Sequence, residues 1–142
     1  MPQKNTAERL VQIVQRAYQF SWKGRREGLL ELANDLDLEA LKQRDIFEFG
    51  MRLAIEGIEP EVLNTVLSNM SNLEPDDEAR RIKTIQKEAV LGIQKEINSV
   101  LLLNTLFSHM NAIEMEEALG SFRNTDIYEV FKNELNSSIT SV

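Results

Sequence analysis

Cysteine is absent from the chain. That excludes disulfides, thiolate zinc sites and cysteine nucleophiles, and it fits a reducing compartment. Histidine occurs once, at position 109. A metal site would therefore depend on one ring nitrogen donor with no clustered carboxylates beside it. A nucleophilic triad fares no better, because Ser108 adjoins His109 and neighbours on a helix point in different directions. Long apolar runs are missing as well. The longest stretch free of Asp, Glu, Lys and Arg spans 97–113 and is broken by Asn98, Ser99, Asn104, Thr105, Ser108, His109 and Asn111. A spanning helix needs about 20 mostly apolar residues, so this stretch is expected to be a helix in a water-surrounded core. The first ten residues, MPQKNTAERL, lack the apolar segment of a secretory signal. No glycine-rich phosphate loop is present, since Gly24 and Gly28 sit inside a helical pattern. Glu56, Glu59 and Glu61 lack the spacing of a calcium loop, and Asp76–Asp77 and Glu116–Glu117 are sequence neighbours rather than pairs on one helix face. The expectation is a non-enzymatic chain with no catalytic residue, no cofactor and no metal.

What is present is ordinary globular material with an uneven charge. Hydrophobic residues make up 42% and charged residues 27% of 142 positions, so a packed core is within reach and extended disorder is not expected. A chain of this size buries about two-thirds of its unfolded surface. Residues 1–26 hold six basic side chains (Lys4, Arg9, Arg16, Lys23, Arg25, Arg26) and one acidic one (Glu8), a net of +5 against −7 for the whole chain and so −12 for the rest. An acidic protein with pI near 4.8 is a poor partner for nucleic acid. Its basic head suits an acidic protein, anionic lipid or the chain's own acidic remainder.

Helical periodicity dominates. Thr6 is placed to cap a first helix, with Ala7, Leu10, Val11, Val14, Ala17 and Tyr18 on one face and the pattern continuing to Ala33. Asn34–Asp37 breaks it. A second helix is expected from Leu38 to Glu56, with Gly57 just past its end, and a third is expected to start near Pro60. Ser71–Asp77 reads as a linker. Helices follow over Glu78–Glu96, from Asn98 or Ser99 onward, near Ala112–Leu119 with Gly120 ending it, and over Asp126–Leu135 capped by Thr125, with 136–142 frayed. No stretch alternates with period two, so strands are not expected.

The run Leu63-Asn64-Thr65-Val66-Leu67-Ser68-Asn69-Met70 returns 40 residues later as Leu103-Asn104-Thr105-Leu106-Phe107-Ser108-His109-Met110. Met51 and Leu53 fall opposite Leu91 and Ile93, so each copy is a helix pair, and two such pairs are expected to pack face to face. The fold class expected is all-α: a compact bundle of about six to seven helices, built from two related helix-pair units plus a long N-terminal helix. It forms one domain over 1–142, with sub-units 1–70 and 76–135 joined by the linker 71–77.

Three segments resemble one family. Gly24-Arg25-Arg26-Glu27-Gly28-Leu29-Leu30-Glu31-Leu32, Gly50-Met51-Arg52-Leu53-Ala54-Ile55-Glu56-Gly57-Ile58-Glu59-Pro60-Glu61-Val62-Leu63 and Ile85-Gln86-Lys87-Glu88-Ala89-Val90-Leu91-Gly92-Ile93-Gln94 are similar to cytoplasmic segments of the flagellar motor stator A subunit, the MotA/PomA type. Together they cover 33 of the 142 positions, about a quarter of the chain. The family's membrane helices are missing: 71–77 stands where its third and fourth spans would be, and the polar-faced 7–22 stands in place of its second. A channel is therefore not expected of this chain alone. In the family, basic residues and a glutamate of the first segment engage the rotor's switch-ring protein. The resemblance thus implies a protein-binding face with Arg25 and Arg26 at the basic positions. The family glutamate falls at Ala33, and the nearest acid is Glu31.

The functional expectation is a protein-interaction module, a stator-like component or regulator at the flagellar motor. It would meet a rotor or stator protein through a basic helix face made by Arg25, Arg26 and Glu31. Two other readings stand beside it: a helical adaptor unrelated to motility, and a membrane-surface protein held by its basic first helix. Self-association through residual apolar faces is a further expectation. The placement that follows is cytoplasmic, at the inner face of the membrane in the third reading.

Overall fold

The computed structural model describes the backbone of residues 2–140 and the side chains of residues 6–133. It is all-helical. Among the described residues, eight α-helices and one 3₁₀ segment follow in order: α1 (Pro2–Glu27), the 3₁₀ segment (Leu29–Asp35), α2 (Leu38–Lys42), α3 (Ile46–Ile55), α4 (Pro60–Asn72), α5 (Asp77–Gln94), α6 (Ser99–Phe107), α7 (Ala112–Gly120) and α8 (Asp126–Thr140). None of them is long and apolar enough to cross a membrane.

At 1.5 Å per residue, α1 is about 39 Å long. It starts at Pro2, before Thr6, which lies inside the helix as a buried residue rather than capping it. Its stripe of Leu10, Ile13, Val14, Ala17 and Phe20 is buried in the core. The helix ends at Glu27 instead of running on to Ala33, because Gly28 takes φ +93°, a conformation side chains with a Cβ rarely adopt. The chain then folds back as the 3₁₀ segment, with Leu32 fully buried against Gly24, where a Cβ would lie 3.2 Å from the leucine methyl.

The expected second helix is two helices. Arg44 has φ +58°, and Asp45 caps α3 by accepting from the Glu48 N–H (3.1 Å). The same turn ends three helices. Its outer bond runs from the Asp45 N–H to the Ala40 carbonyl (3.0 Å), from Ile58 to Leu53 (3.2 Å) and from Ile97 to Gly92 (3.2 Å), each closing a left-handed residue at Arg44, Gly57 or Glu96. Gly57 ends α3, and Pro60 opens α4, where its missing N–H has no bond to lose.

The repeat is visible in the structure with one residue of slip. At an offset of 40, Leu63 and Leu103 are both buried, as are Leu67 and Phe107, and Thr65 and Thr105 each donate to the carbonyl four residues back (3.1 and 3.0 Å). The turns before these helices correspond at an offset of 39, Gly57 to Glu96 and Ile58 to Ile97. Of the two helix pairs, α3 and α5 pack on each other, whereas α4 lies on α3 and α5, and α6 lies on α5 and α1. The face-to-face expectation therefore holds for the first helix of each pair only.

α5 is the central element, touching α1, α3, α4 and α6. Gly50 lets α3 approach it: a Cβ there would stand 3.0 Å from both Val90 and Leu67. Edge-on rings tie the periphery together, Phe20 on Phe47 (5.1 Å), Tyr18 on Phe122 (5.2 Å) and Phe107 on Phe131 (5.4 Å). The linker narrows to 73–76 and is pinned. Arg80 donates to the Glu74 and Pro75 carbonyls, and Lys83 pairs with the Glu74 carboxylate at 3.0 Å. That ammonium and the Asp76 N–H hold the Glu74 carboxyl below its ordinary value. α8 runs to Thr140, past the expected end at Leu135; Ser141 and Val142 lie outside the described residues.

Candidate protein-binding surface

The surface starts at the C-terminal end of α1. Arg25 and Arg26 close the helix, where cations oppose the negative end of its dipole. Both are exposed, and neither forms an ion pair among the described residues. Arg26 lies over the Trp22 ring, 4.1 Å from its centroid, an i,i+4 contact that leaves the ring 50% exposed. A shallow groove of about 540 Å³ opens beside this ring, with Tyr18, Gln19, Lys23 and Glu27 along it.

Glu31 lies elsewhere than a continuous helix would put it. Because Gly28 breaks α1, Glu31 sits on the 3₁₀ segment, exposed and unpaired with either arginine among the described residues. Its charge acts on Lys23 instead. The Asp35 hydrogen bond (2.6 Å) raises the Lys23 ammonium above its ordinary value, with smaller contributions from Glu27 and Glu31. Leu30 stands beside it at 75% exposure, an apolar residue open to solvent.

A polar node fixes this segment to α1. Glu48 is the most buried carboxylate described, at 2% exposure. It accepts from Arg16 through Nε (3.0 Å) and Nη2, and from the Asp37 N–H (2.7 Å). Arg16 also donates to the Asp35 carbonyl (2.9 Å) and lies over Phe20, 4.7 Å from the ring centroid. The Glu48 hydrogen bond is the main cause of an Arg16 pKa raised above the ordinary arginine value, so the guanidinium stays charged. Next to it, Asp45 Oδ1 accepts from Arg9 and from the buried Gln86, both at 3.2 Å. A glutamate inside the apolar run Ile46–Ile55 was the available signal for this node.

On the far side, Arg81 joins α5 to α7. It donates to Glu78, to both Glu114 oxygens (2.8 Å each) and to the His109 carbonyl (2.9 Å). Glu114 also accepts from the Asn111 N–H (3.0 Å), completing the α7 capping box. Arg81 and that N–H lower the Glu114 carboxyl below its ordinary value. His109 is half-buried in the turn after α6, whereas Asn69, its counterpart in the repeat, is exposed on α4. Among the described residues, no group of three His, Cys, Asp or Glu side chains is placed to hold a metal ion.

No protein-family model, no curated protein and no solved structure matches this chain.

Proposed function

We propose that this chain is a non-enzymatic protein-interaction module, a stator-like component or regulator of the flagellar motor, and that it binds an acidic face of a rotor or stator protein through the C-terminal end of α1. One observation carries the reading. Arg25, Arg26 and Trp22 stand together, exposed, at the end of α1, onto which Arg16, Lys23 and Leu32 fix the 3₁₀ segment that follows. Arginine and tryptophan are the residue types that dominate binding hot spots. Charge at such a face steers association and fixes register more than it adds affinity. The resemblance of 24–32 to the stator segment supplies the partner to try first, the rotor's switch-ring protein.

The membrane-surface reading has less to work with, because the apolar stripe of α1 is occupied in the core, and among the described residues its basic end offers a lipid surface Trp22, Leu30 and the arginines. Titration calorimetry with the purified switch-ring protein tests the proposal. Arg25→Gln/Arg26→Gln is expected to weaken binding at least tenfold, about 1.4 kcal/mol, with unchanged helicity by circular dichroism. Glu31→Gln is expected to change it less than threefold. Equal affinity of the double variant and the wild type overturns the proposal, and flotation with anionic vesicles alone would replace it by the membrane reading.

A further inference from the structure

α1 carries two unlike patches on one face. Positions 7, 8, 11, 15, 18, 22, 25 and 26 fall within one strip of a helix with 3.6 residues per turn. The contacts bear this out at mid-strip, where Gln15 donates to the Ser121 carbonyl (3.0 Å) and hydroxyl (2.8 Å) and Tyr18 meets the Phe122 ring. α7 and the segment after it thus cover the middle of the strip and leave its two ends open.

The C-terminal end is the basic, aromatic patch of Trp22, Arg25 and Arg26. At the N-terminal end, α1 and α7 form a groove from two adjoining depressions of about 600 and 510 Å³ that share Ile113 and Glu117. Its apolar surface is small, Val11 half-buried within it and Ile113 70% exposed at its lip. Its rim is acidic: Glu8, Glu116 and Glu117 are exposed and take part in no ion pair among the described residues. Two cations border it. Arg81 is held by Glu78 and Glu114, and Arg123 lies at the far end beside Gly120.

The two ends match in chemistry but cannot meet within one molecule. Val11 and Trp22 are separated by about 17 Å along the helix, roughly twice the distance over which salt screens a charge. A second copy lying antiparallel removes the obstacle. Each basic end then lies over the other copy's groove, and both contacts form at once about a two-fold axis near Gln15 and Ser121. Such a contact is self-complementary, the commonest form of homo-oligomer.

We infer that the protein forms a two-fold homodimer in which Trp22, Arg25 and Arg26 of each copy dock on the Val11–Ile113 groove of the other, against Glu8, Glu116 and Glu117. The inference uses the same basic end as the proposed function but is independent of which partner competes for it. Dimerisation and partner binding are then mutually exclusive.

Analytical ultracentrifugation of the full chain over a concentration series tests it. The wild type is expected to dimerise, and its dissociation constant is expected to rise at least tenfold between low and high salt. Arg25→Glu/Arg26→Glu and Glu116→Lys/Glu117→Lys are each expected to be monomeric. An equimolar mixture of the two is expected to dimerise again, because one contact re-forms with its wild-type charges and the other with the charges exchanged. Ile113→Ser, an exposed position, is expected to weaken the dimer without lowering the melting temperature of the monomer, measured at concentrations below the dimer's dissociation constant. A wild type that stays monomeric, a mass that grows past the dimer, or a charge-exchanged mixture that stays monomeric overturns the inference. Glu116→Lys/Glu117→Lys leaves Arg25 and Arg26 in place, so a failed dimer and a failed partner interaction are told apart by testing that variant against the switch-ring protein.

Discussion

Arg16 and Glu48 show how much depends on which member of an ion pair is left behind. Glu48 is 3% exposed at its side chain and Arg16 is 35%. Removing the arginine leaves a carboxylate with almost no access to water. It also deletes the stacking on Phe20 and the bond to the Asp35 carbonyl that holds the 3₁₀ segment. Removing the glutamate leaves a guanidinium that water can reach. Losing one partner of a buried pair costs about 3–5 kcal/mol, and the exposed arginine lowers that figure for only one of the two variants. Arg16→Ala is therefore expected to cost about 3–5 kcal/mol and Glu48→Ala about 2–3 kcal/mol, measured by urea unfolding; equal costs, or the reverse order, would refute the assignment. The basic end of α1 was legible at this scale because six cations in 26 residues have few acids nearby to meet. The pairing of Arg16 with Glu48 was not, since it joins positions 32 apart in sequence.

At the scale of elements, the recurring turn explains both what could be read and what could not. Where the left-handed position is Gly57, the helix end was plain from sequence, and the break at Glu96 showed through the capping residues that follow it, Asn98 and Ser99; at Arg44 nothing in the residue type marks a break. A single helix was thus expected over Leu38–Glu56, and Asp45, an N-cap with good credentials, passed as an ordinary helix residue. Gly28 falls inside the expected first helix because residue type alone does not reveal that its φ is positive. The non-glycine turns carry strain that glycine would release. A left-handed residue with a Cβ costs about 1–2 kcal/mol, and glycine returns part of this as unfolded-state entropy. Glu96 is exposed and makes no ion pair among the described residues, so Glu96→Gly isolates the backbone term. It is expected to stabilise the protein by about 0.5–1 kcal/mol, seen as a higher urea midpoint at an unchanged slope. Arg44→Gly should gain less, because Arg44 also lies 5.2 Å from the Phe49 ring centroid. A Glu96→Gly variant no more stable than wild type would mean that the turn is not strained.

For the whole molecule, the question is whether the two sequence units are two folding units. The repeat, with a linker between its copies, invites that division. The packing argues against it. α5 belongs to the second copy, yet its buried face of Ile85, Ala89, Val90 and Ile93 is completed by α1, α3 and α4 from the first. The buried apolar residues, from Leu10 to Phe131, form one cluster. Tertiary placement of this kind follows from contacts between positions far apart in the chain, which periodicity read along one helix cannot supply. The groove between α1 and α7 is a further instance, formed by residues about a hundred positions apart. A fragment ending at 72 would expose the α3 and α4 surfaces that α5 covers, and one starting at 76 would lose most of what buries Val90. Neither half is expected to fold alone. The intact chain is expected to unfold in one cooperative step, with fluorescence of its single tryptophan, Trp22 at the far end of α1, tracking the loss of helix across all elements. Coincident transitions by circular dichroism and fluorescence, and a calorimetric enthalpy equal to the van't Hoff value, are the measurements. Two separated transitions, or a helical and cooperatively melting fragment 76–142, would show that the copies fold independently.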